Sequence, residues 1–247
     1  HTETVSEYIR RDALDLAFEF DFAGAILKAA QGGRKDELAY ALENAAASYP
    51  PNRYATMITN HDQDRVASVL REDLSRMKLA ANLLLTAPGV PFVYYGEEIG
   101  QVGANPAEMI RNPMPWTAGP NGGFTAAARP REPGHERRNV AVQDRDPDSL
   151  LNHYRRLIRL RQAEPALARG DFRGVDTGRD DVIAWERSAD GRRLLVLTNL
   201  SGDEIADYRL PGASLRLSAE LLHGEAAGDS TALDLAARTT YVYVVSN

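Results

Sequence analysis

The hydrophobic pattern of this 247-residue chain changes its period near Gly170, and this change constrains the fold more than any other feature. Before Gly170, short apolar runs alternate with longer segments of helical period. The order strand, helix, strand, helix, strand is typical of parallel α/β units, in a barrel or a doubly wound sheet. After Gly170 the period is two, which indicates antiparallel strands. We therefore predict an α/β part over residues 1–168 and an antiparallel β domain over residues 169–247.

Three runs in the first part predict strands by their apolar or alternating character: Leu16–Phe22, Tyr54–Thr59 and Pro91–Tyr95. Between the first two, residues 23–47 are rich in Ala, Leu and charged residues but are interrupted by Gly32-Gly33, which predicts two helices or one broken helix. Apolar residues recur at helical spacing from Ser68 to Thr86 and predict an amphipathic helix.

The later segments carry clear start and turn signals. Asp146-Pro147 fits an N-cap followed by proline at the first position of a helix that ends before Pro165. Asp190-Gly191, between two alternating runs, predicts a tight hairpin. The predicted strands of the β domain are Val182–Glu186, Leu194–Asn199, Tyr208–Leu210, Leu215–Leu222 and Tyr241–Val245, with the Trp185 side chain in the core.

Composition excludes several classes of function. The net charge of −6 and the pI near 5.5 argue against a nucleic-acid partner, and we place the arginines of Arg129–Arg131 and Arg137-Arg138 in a solvated loop. The chain has no cysteine, so disulfides and thiolate chemistry are absent. No apolar run approaches the roughly 20 residues that cross a bilayer, and His1–Thr4 does not read as a signal peptide. The cellular compartment stays open.

The tetrapeptide Asn60-His61-Asp62-Gln63 follows an apolar run and carries the strongest chemical signal. A parallel strand delivers such side chains to the sheet edge where α/β barrels build their active sites. An Asp after a strand often caps a helix, and a lone His is more often structural than catalytic. The nearby Arg65 adds another polar group, however, and a polyhydroxylated ligand would satisfy such a cluster.

Two longer segments carry a resemblance to a known family. Thr59–Arg65 (TNHDQDR) and Leu84–Gly100 (LLTAPGVPFVYYGEEIG) strongly resemble the α-amylase family, glycoside hydrolase family 13. Arg111–Trp116 (RNPMPW) is similar to its α-glucosidase and α-amylase branches, and Phe18–Ala23 looks like the sixth barrel strand of such enzymes.

This resemblance implies a C-terminal part of a (β/α)8 TIM barrel, with its sixth, seventh and eighth strands ending near Phe22, Asn60 and Tyr95, followed by a C-terminal antiparallel β-sandwich. Asp62 would be the catalytic carboxylate that stabilises the transition state by hydrogen bonding to sugar hydroxyls. His61 and Arg65 would bind the substrate. We expect no cofactor and assign no metal site.

The family's nucleophilic Asp and its acid/base Glu have no counterpart in this chain, and Glu97-Glu98 is better explained as structural. A retaining glycosidase needs two carboxyl groups roughly 5 Å apart. We therefore expect the chain to be the later portion of an α-glucan glycoside hydrolase, inactive by itself. Its expected partners are an α-glucan or maltooligosaccharide, and either the N-terminal part of the barrel or a second copy of the chain.

A non-catalytic protein with an amylase-like fold, acting in binding or as a scaffold, is the alternative. The Asn60-His61-Asp62 cluster favours a catalytic parent, because a scaffold has no need for it. A starch-binding module is disfavoured, since alternation assigns the aromatic residues of the β domain to its core.

Overall fold

The computed structural model describes residues 1–126, 134–212, 216–223 and 232–246, with only the backbone described for residues 216–222 and 246. Its helices are α1 (Thr2–Arg10), α2 (Phe20–Gly32), α3 (Asp36–Ser48), α4 (Val66–Val69), α5 (Leu74–Thr86), α6 (Ala107–Ile110), α7 (Val140–Gln143), α8 (Leu150–Ala163) and α9 (Pro165–Arg169). Its strands are β1 (Ala17–Phe18), β2 (Tyr54–Thr56), β3 (Val90–Pro91), β4 (Asp171–Val175), β5 (Val182–Ala189), β6 (Arg192–Asn199), β7 (Ile205–Tyr208), β8 (Arg216–His223), β9 (Leu233–Leu235) and β10 (Thr240–Ser246). Within the described ranges, no helix combines the length and apolar character that a membrane span needs.

The first sheet is parallel, in the order β1-β2-β3, as the α/β pattern predicts. The strand predicted over Leu16–Phe22 is wrong beyond Phe18, because α2 already begins at Phe20. The Glu19 carboxylate accepts a hydrogen bond from the Asp21 backbone N–H at 3.1 Å and so caps the helix. The alternation of aromatic and acidic residues at this junction imitates the period of a strand.

The break at Gly32-Gly33 does produce two helices, as predicted. Gly33 adopts the left-handed conformation (φ 68°), which ends α2 at no steric cost to a residue without Cβ. The α3 helix then begins with Asp36 and Glu37 in its first turn, where their negative charge interacts favourably with the positive end of the helix dipole.

Two predicted helix starts are wrong. The helix expected from Ser68 begins only at Leu74, because Arg71 and Glu72 have positive φ and separate it from α4. Its second half is buried throughout, so it is not amphipathic there. The α8 helix is capped by the Ser149 hydroxyl, which accepts from the Asn152 N–H at 3.2 Å, whereas Asp146 only closes a preceding turn.

The remaining strands are antiparallel, as predicted, and form a sheet in the order β4-β5-β6-β10-β8 beside a β7–β9 pair. The hairpin of β5 and β6 turns through Asp190 and Gly191, both with positive φ (53° and 77°), as a type I′ turn requires. The strand predicted over Tyr208–Leu210 lies earlier, over Ile205–Tyr208.

One apolar cluster joins the helices around the parallel sheet to the antiparallel sheet. It contains Leu83 and Leu84 of α5, Trp185 of β5 and Val196 of β6. The Trp185 ring is 1% exposed, as its predicted core position requires, and its Nε1–H donates to the carbonyl of Thr86 at 3.3 Å. The first two-thirds and the last third of the chain therefore share a core, and the boundary at residue 168 stays a prediction.

Two buried guanidinium ions hold the C-terminal end of α5. Arg161 donates to the carbonyls of Leu85, Ala87 and Gly89 at 2.9, 2.8 and 2.6 Å. Arg187 donates to the carbonyls of Thr86 and Gly170 at 3.3 and 2.9 Å. Burial lowers the pKa of Arg161 to about 10 and that of Arg187 to about 9. The partial negative charge of the helix C-terminus favours both cations at this position.

Replacing Arg161 by Met should destabilise the chain by at least about 3 kcal/mol, because it leaves buried carbonyl groups without donors. Urea unfolding at neutral pH measures this change. Arg159→Met is the matched control on the exposed side of the same helix and should change stability by no more than about 0.5 kcal/mol. Equal stability of the two variants would contradict the assignment.

Candidate active site

The carboxyl ends of β1, β2 and β3 lie at one edge of the parallel sheet, because the strands run in the same direction. After β2 the chain continues through Met57, Ile58 and Thr59, all buried. The Asn60 side chain then accepts a hydrogen bond from the Asp62 N–H at 2.9 Å and turns the chain outward. This turn places the predicted residues His61 and Asp62 on the surface, with 62% and 66% of their side chains exposed.

Both carboxylate oxygens of Asp62 have partners. Arg111 donates to Oδ1 at 2.7 Å, and Nε2 of His61 lies 3.3 Å from Oδ2. The guanidinium of Arg111 also donates from Nε to the carbonyl of His61 at 3.0 Å. These contacts fix the carboxylate beside a cation and an imidazole, and its exposed face can accept hydrogen bonds from the hydroxyl groups of a ligand.

Arg111 is the site residue for which sequence reasoning assigned no role. It lies just after α6, 49 positions from Asp62, so no local spacing connects the two. The only available signal was its position at the start of the Arg111–Trp116 segment, which carries part of the family resemblance. The fold of the long loop after β3 brings it to the end of β2.

Arg65, which we predicted to bind substrate, is 2% exposed, and its guanidinium binds backbone carbonyl groups inside the protein. Its Nε donates to the carbonyl of Ile110 at 2.7 Å and its Nη1 to the carbonyl of Tyr95 at 2.6 Å. The guanidinium also stacks over the rings of Tyr94 and Tyr95, 4.5 and 4.7 Å from their centroids. Because Ile110 precedes Arg111, this placement favours a positioning role for Arg65 over direct contact with a sugar.

Glu97 occupies the other acidic motif of this region and is buried, 5% exposed. The Tyr154 hydroxyl of α8 donates to Glu97 Oε1 at 2.7 Å. Burial raises the pKa of Glu97 to about 8, and burial also raises the pKa of its neighbour Glu98. A protonated carboxyl bonded to a core tyrosine agrees with the structural role expected for this pair.

Two further sets of arginines were predicted to lie in a solvated loop. We expected Arg138 to be solvated, but its guanidinium forms an ion pair with Glu72. The loop prediction for Arg129–Arg131 falls outside the described residues. In the ranges 1–126, 134–212, 216–223 and 232–246, no group of three or more His, Asp or Glu side chains is placed to hold a metal ion.

Comparison with known proteins identifies relatives of this chain. The family described as "Alpha amylase, catalytic domain" matches residues 1–170. Alpha-amylase 3 of Dictyoglomus thermophilum is 33% identical over 152 residues, which cover 60% of this chain and 30% of that protein. Oligo-1,6-glucosidase of Halalkalibacterium halodurans is 27% identical in an alignment 253 positions long that covers 81% of this chain and 44% of that protein.

Solved structures of similar fold include enzymes of the same kind as these relatives. The crystal structure of the α-amylase from H. orenii superimposes with a TM-score of 0.82 and 29% identity, covering all of this chain and 52% of that one. The isomaltulose synthase SmuA from Protaminobacter rubrum gives a TM-score of 0.81 at 23% identity, which shows the shared fold. The chain thus spans about half the length of these structures and less than half of the two relatives above.

The raised pKa of Glu97 predicts a pH-dependent effect of Glu97→Gln. In the unfolded chain the carboxyl loses its proton near its ordinary pKa of 4.5, whereas in the fold it keeps the proton up to about pH 8. The contribution of Glu97 to stability is therefore greatest below pH 4.5 and decreases as pH rises towards 8. The Gln variant, which cannot ionise, should gain stability relative to the natural chain between pH 5 and pH 8.

Urea unfolding at several pH values checks this. The exposed Glu108→Gln on α6 is the control and should follow the natural chain at every pH. A constant difference between Glu97→Gln and the natural chain from pH 5 to pH 8 would contradict the raised pKa.

Proposed function

The chain belongs to the α-amylase family, glycoside hydrolase family 13, and we propose that it supplies the Asp62 side of the active site of a retaining α-glucan glycoside hydrolase. The observation that carries this proposal is the exposed cluster of Asp62, His61 and Arg111 at the carboxyl end of β2. Relatives named as an alpha-amylase and an oligo-1,6-glucosidase support an α-glucan or maltooligosaccharide as the substrate class.

Asp62 acts in this proposal as a transition-state stabiliser. Its carboxylate accepts hydrogen bonds from sugar hydroxyls, and these bonds strengthen as the ring flattens towards an oxocarbenium-like state. Interactions that are stronger in the transition state than in the ground state raise the rate of the chemical step. His61 lies beside the carboxylate and donates to the same sugar, while Arg111 holds the carboxylate in place.

Arg65 contributes to this site by positioning. Its bonds to the carbonyls of Ile110 and Tyr95 connect the turn after β2 to the loop that carries Arg111. A guanidinium suits this task because its donors form a rigid, planar fork. We therefore replace the direct sugar contact predicted for Arg65 by a role in holding Arg111 against Asp62.

We further propose that β1, β2 and β3 are the sixth to eighth strands of a (β/α)8 barrel and that residues 169–247 form a β-sandwich. Phe18 at the end of β1 and Phe92 after β3 support the barrel, since their rings meet edge to face at 5.0 Å across β2. In such barrels, alternate strands contribute side chains to the same interior layer. Both rings are 43% exposed, as an interior layer is before further strands cover it.

The proposal leaves the nucleophile and the acid/base to protein outside this chain. The resemblance assigns only Asp62 to the set of catalytic carboxylates here, and the retaining mechanism needs two others to form and hydrolyse the glycosyl intermediate. We therefore propose that the isolated chain is inactive. The alternative of a non-catalytic scaffold is less well supported, because a scaffold does not require an exposed carboxylate held by both Arg111 and His61.

Replacing Asp62 by Asn tests the function in the full enzyme that contains this chain. With maltooligosaccharide as substrate, kcat should decrease by about 10²–10³-fold, the cost found for removing one transition-state hydrogen bond, while KM changes much less. Asp64→Asn is the control, since Asp64 lies in the same turn as Asp62 but accepts a hydrogen bond from the Asn105 N–H at 3.1 Å. An unchanged kcat in Asp62→Asn would overturn the proposed role, and hydrolysis by the purified isolated chain would overturn its inactivity.

The exposed barrel layer predicts self-association of the isolated chain. Uncovered strand edges and an apolar face favour association in water. Sedimentation velocity should show oligomers, and the double variant Phe18→Ser, Phe92→Ser should shift the chain towards monomer. Phe124→Ser, at a ring that is 58% exposed elsewhere, should leave the distribution unchanged. A natural chain that sediments as a single monomer would contradict the prediction.

A further inference from the structure

Arg111 lies between two buried residues, although half of its own side chain is exposed. Ile110 and Asn112 are both buried, whereas the Arg111 side chain is 50% exposed where it meets Asp62. An exposed ion pair holds its geometry weakly, because two flexible side chains lose conformational freedom when they pair. The contact between Arg111 and Asp62 therefore depends on how firmly the backbone of Arg111 is held.

The carbonyl groups on both sides of Arg111 accept hydrogen bonds from side chains of other segments. The carbonyl of Ile110 accepts from Nε of Arg65 at 2.7 Å. The carbonyl of Asn112 accepts from the Tyr95 hydroxyl and from Nε2 of Gln101, each at 2.9 Å. The backbone of Arg111 is thus anchored on both sides, and the anchor at Asn112 consists of Tyr95 and Gln101.

Tyr95 takes part in both anchors. Its carbonyl accepts a hydrogen bond from Nη1 of Arg65 at 2.6 Å, and the Arg65 guanidinium lies 4.7 Å from the centroid of its ring. The hydroxyl at the far end of the same ring donates to Asn112. Because the ring is rigid and planar, this one residue couples the position of Arg65 to that of Asn112.

Gln101 is buried and packs closely against Gly96. Its backbone N–H donates to the carbonyl of Gly96 at 2.9 Å. A Cβ built at residue 96 would lie 2.0 Å from Oε1 of Gln101, which is too short for a real contact. The glycine therefore leaves the space in which the Gln101 amide lies while its Nε2 donates to Asn112.

We propose that Tyr95 and Gln101 are positioning residues of the candidate active site. They hold the carbonyl of Asn112, which fixes the backbone of Arg111 and keeps its guanidinium on the Asp62 carboxylate. This inference rests on the proposed function, because the rate depends on how that carboxylate is oriented towards the sugar. Since this role requires no contact with substrate, loss of the anchor should lower kcat and leave KM nearly unchanged.

Tyr95→Phe and Gln101→Met test the proposal in the full enzyme that contains this chain. Tyr95→Phe removes only the hydroxyl and keeps the ring against Arg65, and Gln101→Met keeps a side chain of similar length without the donor. With maltooligosaccharide as substrate, each should lower kcat by about tenfold and change KM by less than about twofold. Tyr154→Phe is the matched control, because it also removes a tyrosine hydrogen bond, at 2.7 Å to Glu97, and should leave kcat unchanged.

The same variants in an Arg111→Met background separate positioning from a general effect on the fold. If Tyr95 and Gln101 act through Arg111, their replacement should change kcat by less than about twofold once Arg111 is absent. The same tenfold loss in both backgrounds would overturn the proposal.

Hydrogen exchange of residues 107–116, followed by mass spectrometry of the full enzyme, measures the anchor independently of activity. Exchange should be at least about fivefold faster in Tyr95→Phe and Gln101→Met than in the natural enzyme, and unchanged in Tyr154→Phe. Unchanged exchange in all three variants would overturn the proposal. If Asp62→Asn keeps the natural kcat while exchange is faster, the proposed function fails and the anchor stands. If Asp62→Asn lowers kcat but Tyr95→Phe and Gln101→Met do not, the positioning role is refuted and the proposed function stands.

Discussion

Backbone carbonyl groups bound by buried arginines are the constraint on which this structure depends. The parallel strands are only two or three residues long, so their own ladder hydrogen bonds cannot hold the surrounding loops. Arg161 reaches from α8 to the carbonyl of Gly89, immediately before β3. Arg65 reaches to the carbonyl of Tyr95, beyond the other end of the same strand. A buried cation at each end therefore satisfies groups that would otherwise be costly to bury.

The buried arginines differ in what they connect. Arg161 and Arg187 converge on the end of α5 and join the helices to the antiparallel sheet, where the helix dipole supplies the opposing partial charge. Arg65 instead joins the turn after β2 to the loop that presents Arg111. The first arrangement unites the core, and the second sets the geometry around Asp62. Hydrogen bonds from buried arginines to backbone carbonyl groups thus support the core on one side of β3 and the candidate site on the other.

Local sequence signals predicted several elements correctly. Gly33 ends α2, and Asp190-Gly191 closes the β5–β6 hairpin, because each needs a backbone conformation that glycine adopts without strain. The errors occur where a local pattern competes with a cap. Glu19 starts a helix inside an apparent strand, and Ser149 takes the capping position expected of Asp146. Periodicity reports which residues are apolar, whereas the first residue of a helix depends on which side chain reaches the free N–H groups.

For the candidate site, the sequence by itself determined the residue types and their place at the end of a strand, and the motifs around His61 and Asp62 determined the family. Only the tertiary structure brought Arg111 to Asp62 and enclosed Arg65 under the rings of Tyr94 and Tyr95. The physical reason is the range of each interaction. Strand period and turn chemistry act over a few residues, but an ion pair across 49 positions forms only when packing fixes both loops.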